Sequence, residues 1–182
     1  MRLRAVLLTA ALLTTPGCLV VSLHPAYDED ALAWDPALVG VWQSLDDETS
    51  IEIEQDEWRS YRIRYKHPIE AGELTGYLTE IGEARYLDVM PARGTDRGAF
   101  VVPVHAVARI RLADNRLEVT PLSYDWFLDR ARKGTNITGL AVSLDQKQNA
   151  LLTSTTPVLQ RWLKAQGAGG PAFGATTTFL KK

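Results

Sequence analysis

One thiol, three imidazoles and a few hydroxyls and carboxylates are the groups of this chain whose types and spacing bear on chemistry. The thiol is Cys18, the sole cysteine. It can close no intramolecular disulfide, so it is either a nucleophile or an attachment point. The imidazoles His24, His67 and His105 are scattered, and none stands at ligand spacing from Cys18, an aspartate or another histidine. A zinc site needs three or four convergent ligands, so no metal is expected. Ser123 with Asp125 and Asp129 is the nearest approach to a hydroxyl–carboxylate group. No G-x-S-x-G elbow, phosphate-binding glycine loop or H-E-x-x-H accompanies it. The expectation is therefore no catalytic residue, no cofactor and no enzymatic activity. Trp58, Tyr61 and Tyr65 stand at strand spacing. They read as core or cross-strand partners, with the lining of a ligand pocket as the other use.

The surroundings of Cys18 decide its role. Met1-Arg2-Leu3-Arg4 is basic, and Ala5 to Leu13 is uncharged and apolar. A basic start followed by a short apolar run is the pattern of a signal peptide. The run is about half of what a spanning helix needs. Thr14-Thr15-Pro16-Gly17-Cys18 then resembles the bacterial lipobox, although Thr15 stands where the lipobox usually carries Leu, Val or Ile. That resemblance implies cleavage before Cys18 and lipid on its sulfur. Several acyl chains, each worth about 0.8 kcal/mol per buried CH2, hold such a protein firmly in a membrane. Leu19 is not the aspartate that marks inner-membrane retention in enteric bacteria. The implied place is the outer membrane, facing the periplasm.

Composition narrows the partners. The 182 residues are 46% hydrophobic and 23% charged, usage typical of a globular domain. The formal net charge of −2 gives no basic field for nucleic acid. The organisation expected is a signal peptide over 1–17, a lipidated cysteine and tether over 18–35, and one β-rich domain over 36–182. Within the tether, His24-Pro25 and Asp35-Pro36 are breakers.

From Leu38 the apolar pattern has period two, the signature of half-buried strands. Leu38 to Trp42 reads as a first strand. Ile51 and Ile53, then Tyr61, Ile63 and Tyr65, read as a hairpin, with Glu52 and Glu54 facing Arg62, Arg64 and Lys66 on its wet side. Leu74 to Ile81 and Arg85 to Val89 suggest a second hairpin around Gly82-Glu83, followed by a loop over 91–98. Phe100 to Leu112 is a long strand that carries Arg109 and Arg111. It turns at Asp114-Asn115 into a strand ended by Pro121. Ser123 caps a helix to Arg132 with Gly134 as its stop. Ile137 to Leu144 and Ala150 to Ser154 form a strand pair. Thr156 caps a helix with Pro157 at its first position and Val158, Leu159, Trp162 and Leu163 as its apolar stripe. Gly167 to Gly174 reads as a link, and Thr176 to Leu180 as a last strand. The fold class is mainly β: an antiparallel small barrel or strongly curved sheet with two short helices.

Two resemblances add to this. Gly40-Val41-Trp42 resembles the G-x-W of the first lipocalin strand. It implies a tryptophan that closes one end of a barrel binding small apolar ligands. Ser22-Leu23-His24-Pro25 and the run from Asp35 to Trp42 resemble uncharacterised lipoproteins of Gram-negative bacteria. The function expected is a membrane-anchored, non-enzymatic envelope module that binds an envelope protein or plays a structural part. The alternative is a lipocalin-like carrier of a small apolar molecule.

Overall fold

The computed structural model describes residues 19–92, 102–133, 137, 139–145 and 149–182. The leader, Cys18, most of the 91–98 loop, Phe100 and Gly134 lie outside the described residues.

Eight strands close into an antiparallel barrel. In chain order the strands of the molecule are β1 Val20–Ser22, β2 Leu32–Ala33, β3 Gly40–Ser44, β4 Ser50–Gln55, β5 Ser60–His67, β6 Glu70–Ile81, β7 Ala84–Pro91, β8 Ala106–Ala113, β9 Arg116–Pro121, β10 Val142–Leu144, β11 Ala150–Leu152 and β12 Thr177–Lys181. The helices are α1 Tyr124–Arg132 and α2 Thr156–Gln166. The barrel runs β3-β4-β5-β6-β7-β8-β9-β12 and returns to β3, each strand pairing with the next. Every barrel pairing is antiparallel. Closure leaves no unpaired edge among these eight strands. The segment between β9 and β12 carries both helices with β10 and β11, so the helix after Ser123 departs from the barrel without interrupting it.

Strict alternation sorts the side chains into two cores. Inside the barrel lie Leu38, Trp42, Ile53, Tyr61, Ile63, Leu78, Leu87, Ile110, Leu117 and Phe179. The outer faces of β6, β7 and β8 contribute Ile81, Tyr86 and Val107 to a second core. Phe127 of α1, and Leu159, Trp162 and Leu163 of α2, pack onto it, together with Val20, Ala150 and Leu152. The stripe expected on α2 is thus what seats that helix, except that Val158 is only half buried.

Several expectations need correction. Residues 19–35 are not a free tether. β1 pairs with β11, β2 pairs with β6, and Ala26 is fully buried. Breakers and acidic residues hid two strands too short to show a period. The pairing is not wholly antiparallel either, because β1 and β11 run parallel. The first strand begins at Gly40, since Asp35 caps a 3-10 turn over Pro36–Leu38 with its carboxylate on the Ala37 N–H. Thr155, not Thr156, is the cap residue of α2. The Gly167–Gly174 link holds a 3-10 turn, and its Phe173 bridges Leu122.

Candidate functional site: the two ends of the barrel

One end of the barrel is plugged by its own sequence. Leu38, at the end of the 3-10 turn, is fully buried, and its carbonyl accepts the Trp42 indole N–H at 2.8 Å. Lys181 of the last strand lies over the Trp42 ring at 5.1 Å and donates to the Ala37 carbonyl at 2.9 Å. This contact explains Gly40. Its φ of 142° suits glycine, and a Cβ there would stand 2.6 Å from Lys181 Cε. Beside the plug, Trp34 stacks on Tyr61 at 4.4 Å, and the Tyr61 hydroxyl accepts the Asp35 N–H at 2.8 Å. Arg85 closes the group on Asp35 at 2.7 Å. Burial pushes the Asp35 carboxyl up, but the Ala37 N–H and Arg85 outweigh it and hold the group below the usual carboxylate range.

Toward the other end the described side chains are less buried. Most inward side chains there, Ile51, Tyr65, Leu74, Val89, Ala106, Val119 and Thr177, are half buried, while Ser44 is buried. Gly72 faces the Tyr65 ring, whose Cε1 would lie 2.7 Å from a Cβ. Ala106 and Ala108 of β8 add little side-chain volume to this half. The surrounding loops raise apolar side chains into solvent: Leu45 is 56% exposed, Ile69 87% and Val102 69%. Isolated exposed apolar residues are ordinary. All three stand in connections at this end of the barrel.

Outside the barrel a polar knot holds residues 22–27. Asp88 of β7 is fully buried on the outer face. One carboxylate oxygen accepts the Ala26 N–H at 2.6 Å, and the other lies 2.7 Å from His105 Nδ1. Burial pushes the Asp88 carboxyl up against the opposing pull of His105 and the Ala26 N–H. Tyr27 stacks on Tyr77 at 4.2 Å and meets His105 edge-on. Its hydroxyl is pushed up by burial first, then by Tyr77 and Asp88.

The residues singled out by sequence separate rather than converge. Ser123 caps α1 by accepting the Trp126 N–H at 3.3 Å, and Asp129 pairs with Lys133 at 2.7 Å. Asp125 is exposed in the first turn of α1. These are structural uses of all three. His105 is taken by Asp88, while His67 accepts the Ile69 N–H at 3.4 Å in the β5–β6 turn and His24 is exposed. Among the described residues no three His, Cys, Asp or Glu side chains form a metal-binding group. Tyr61 is core, and Tyr65 is half buried with Ile51 and Gly72 as its cross-strand partners. Trp58 is not core: it sits 66% exposed with φ 55° in the β4–β5 turn.

The arginines of the basic rows are engaged within the fold. Arg64 reaches Glu52 at 3.1 Å and Glu54 at 3.0 Å, and Arg62 reaches Asp56 at 2.7 Å. Arg111 faces Glu118 at 3.6 Å, and Arg109 lies over Phe173 at 4.4 Å. An open groove of ≈ 440 Å³ runs between α2 and the β6–β7 turn, lined by Glu80, Gln160, Arg161 and Lys164. It lies outside the barrel.

Sequence reasoning missed Lys181 and the Asp88 knot. A carboxylate between Leu87 and Val89 was a usable signal, because a buried charge needs a partner. No protein-family model, curated protein or solved structure matches the chain.

Proposed function

We propose that the chain is an exported envelope lipoprotein, anchored through lipid on Cys18 to the outer membrane facing the periplasm. Its barrel is a non-enzymatic binding module that works through the end opposite the plug as an open mouth. The carrying observation is the contrast between the plug of Leu38, Trp42 and Lys181 and the half-buried apolar lining of Ile51, Tyr65, Leu74 and Val89. A barrel built for stability alone gains from filling both ends, since buried apolar area stabilises by roughly 25 cal/mol per Å². The exposed, apolar Leu45, Ile69 and Val102 add contact surface for an envelope protein or another apolar partner. The leader and Cys18 supply the address.

A second reading is a lipocalin-like carrier. The small inward residues Gly72, Ala106 and Ala108 favour it. The deep half is occupied by Trp42, Tyr61 and Phe179, so a carried molecule would enter only the outer half.

The test is expression of the full chain in a Gram-negative host, with mass spectrometry of the N-terminal peptide and membrane fractionation. The expected result is a peptide that begins at acylated Cys18 and a protein that follows the outer membrane. A soluble periplasmic protein with a free thiol contradicts the anchor. Native mass spectrometry of the same domain then separates the readings. A stoichiometric extra mass that leaves on denaturation favours the carrier; a bare mass favours the protein-binding module.

A further inference from the structure

We infer that the folded body sits flush on the bilayer that holds its lipid, with no spacer, and touches it along the edge of the small outer sheet where β1 begins. This rests on lipidation of Cys18. The residue after Cys18 is already part of the fold. The Leu19 carbonyl accepts the Ala150 N–H at 3.2 Å, and its N–H donates to Asn149 Oδ1 at 3.3 Å. Val20 to Ser22 then run in register with Ala150 to Leu152. Ser22 exchanges both backbone hydrogen bonds with His105, at 2.8 and 2.9 Å. Val20 and Ser22 are buried, and Leu23 donates to the Leu152 carbonyl at 2.9 Å. Beyond them the Asp88 knot and β2 hold the segment down as far as Asp35.

Chain reach turns this into a distance. A residue spans at most about 3.6 Å, so a free segment from 19 to 35 would let the body rise by roughly 60 Å. With that segment folded in, the acylated residue is one residue from the body. The headgroup layer on each side of the hydrocarbon is roughly 5–8 Å deep, so the body meets it directly. The meeting edge is where β1 and β11 begin and β10 ends: Leu19, an apolar side chain 48% exposed, with Leu144, and with Asp145 and Asn149, which hydrogen-bond to each other. Ser22 pairs with His105 in antiparallel sense. Leu19 and Val102 therefore leave that pair in opposite directions. The end of the barrel that carries Val102 is then turned away from the membrane edge.

The experiment uses the full lipidated chain in vesicles that carry a nickel-chelating headgroup. Once acylated, Cys18 is blocked, so a nitroxide goes to a single new cysteine. Ser143→Cys places it on exposed β10, two strands and about 10 Å from Val21. Ile69→Cys places it at the same end of the barrel as Val102. The expected result is a several-fold stronger relaxation by surface nickel at position 143 than at 69, lost when a long Gly/Ser segment is inserted between Cys18 and Leu19. Weak relaxation at 143, or relaxation unchanged by the insertion, overturns the inference while mass spectrometry still finds lipid on Cys18. Absence of that lipid overturns the lipoprotein reading itself, and this inference with it.

Discussion

At the end of the barrel where Gly40 and Lys181 lie, Leu38, Trp42 and Tyr61 are fully buried, and Trp42 and Lys181 donate to backbone carbonyls. At the end where Pro91 and Ala106 lie, most inward side chains are half buried. The same eight strands build both ends. The difference is therefore carried by the residues that stand at each end, in the strands and in the segments that join them. The plugged end receives a capped 3-10 turn, a tryptophan and a lysine. The other end receives connections that carry the exposed Leu45, Ile69 and Val102. A fold that spends its largest aromatic on one end and alanines on the other separates stability from recognition along one axis.

Changes at the plugged end have the largest expected effect. Trp42→Ala removes a fully buried ring and leaves Lys181 without its aromatic face. It should cost about 3–5 kcal/mol in urea unfolding. A loss under about 1 kcal/mol would mean that the ring is no plug. Asp88→Ala should cost a similar or slightly smaller amount, about 3 kcal/mol, by leaving His105 and the Ala26 N–H unpaired in a buried place.

The pH dependence sharpens the contrast between Asp35 and Asp88. Asp35 is held below its unfolded value of 3.8, so its contribution is fully present above that pH and lost as pH falls through the folded value. Asp88 is shifted the other way. Between 3.8 and its raised folded value the native state binds more protons than the unfolded one, so stability falls as pH rises through that window. Asp35→Asn should therefore flatten the acid limb of the stability curve, and Asp88→Asn should remove a slope of opposite sign. Unfolding of both variants from pH 3 to 7 checks this. Slopes of the same sign would contradict the assignment.

Gly40→Ala should cost about 1–3 kcal/mol, from its positive φ and the collision with the Lys181 stem. Adding Lys181→Ala should restore only part of it, because the backbone conformation remains. At the open end, Leu45→Asp and Ile69→Asp should change stability by no more than about 0.5 kcal/mol, as expected of exposed sites. If either destabilises strongly, that residue is part of the structure and not free to bind.

Much of the barrel was legible in the sequence because its long strands alternate cleanly. Tyr61, Ile63 and Tyr65 against Ile51 and Ile53 read as a hairpin and pair as one. The charge ladder of Glu52 and Glu54 with Arg62 and Arg64 was legible for the same reason. β1 and β2 were not, since two or three residues cannot display a period, and their partners lie far along the chain. The plug was half legible. Gly40 and Trp42 carry a pattern, but Lys181 joins them only through closure of the barrel, which no local pattern records. Trp58 misled because its place in a tight turn depends on backbone geometry rather than on residue type.

Binding of an apolar fluorescent probe such as N-phenylnaphthylamine tests the open end most directly. The lipid-free chain from Leu19 would be titrated beside Ala106→Trp, which fills the mouth, and Trp58→Ala, which alters an exposed turn away from it. The account predicts saturable binding that Ala106→Trp abolishes and Trp58→Ala leaves intact. Binding that survives Ala106→Trp, or no binding at all, would contradict an apolar site at the open end.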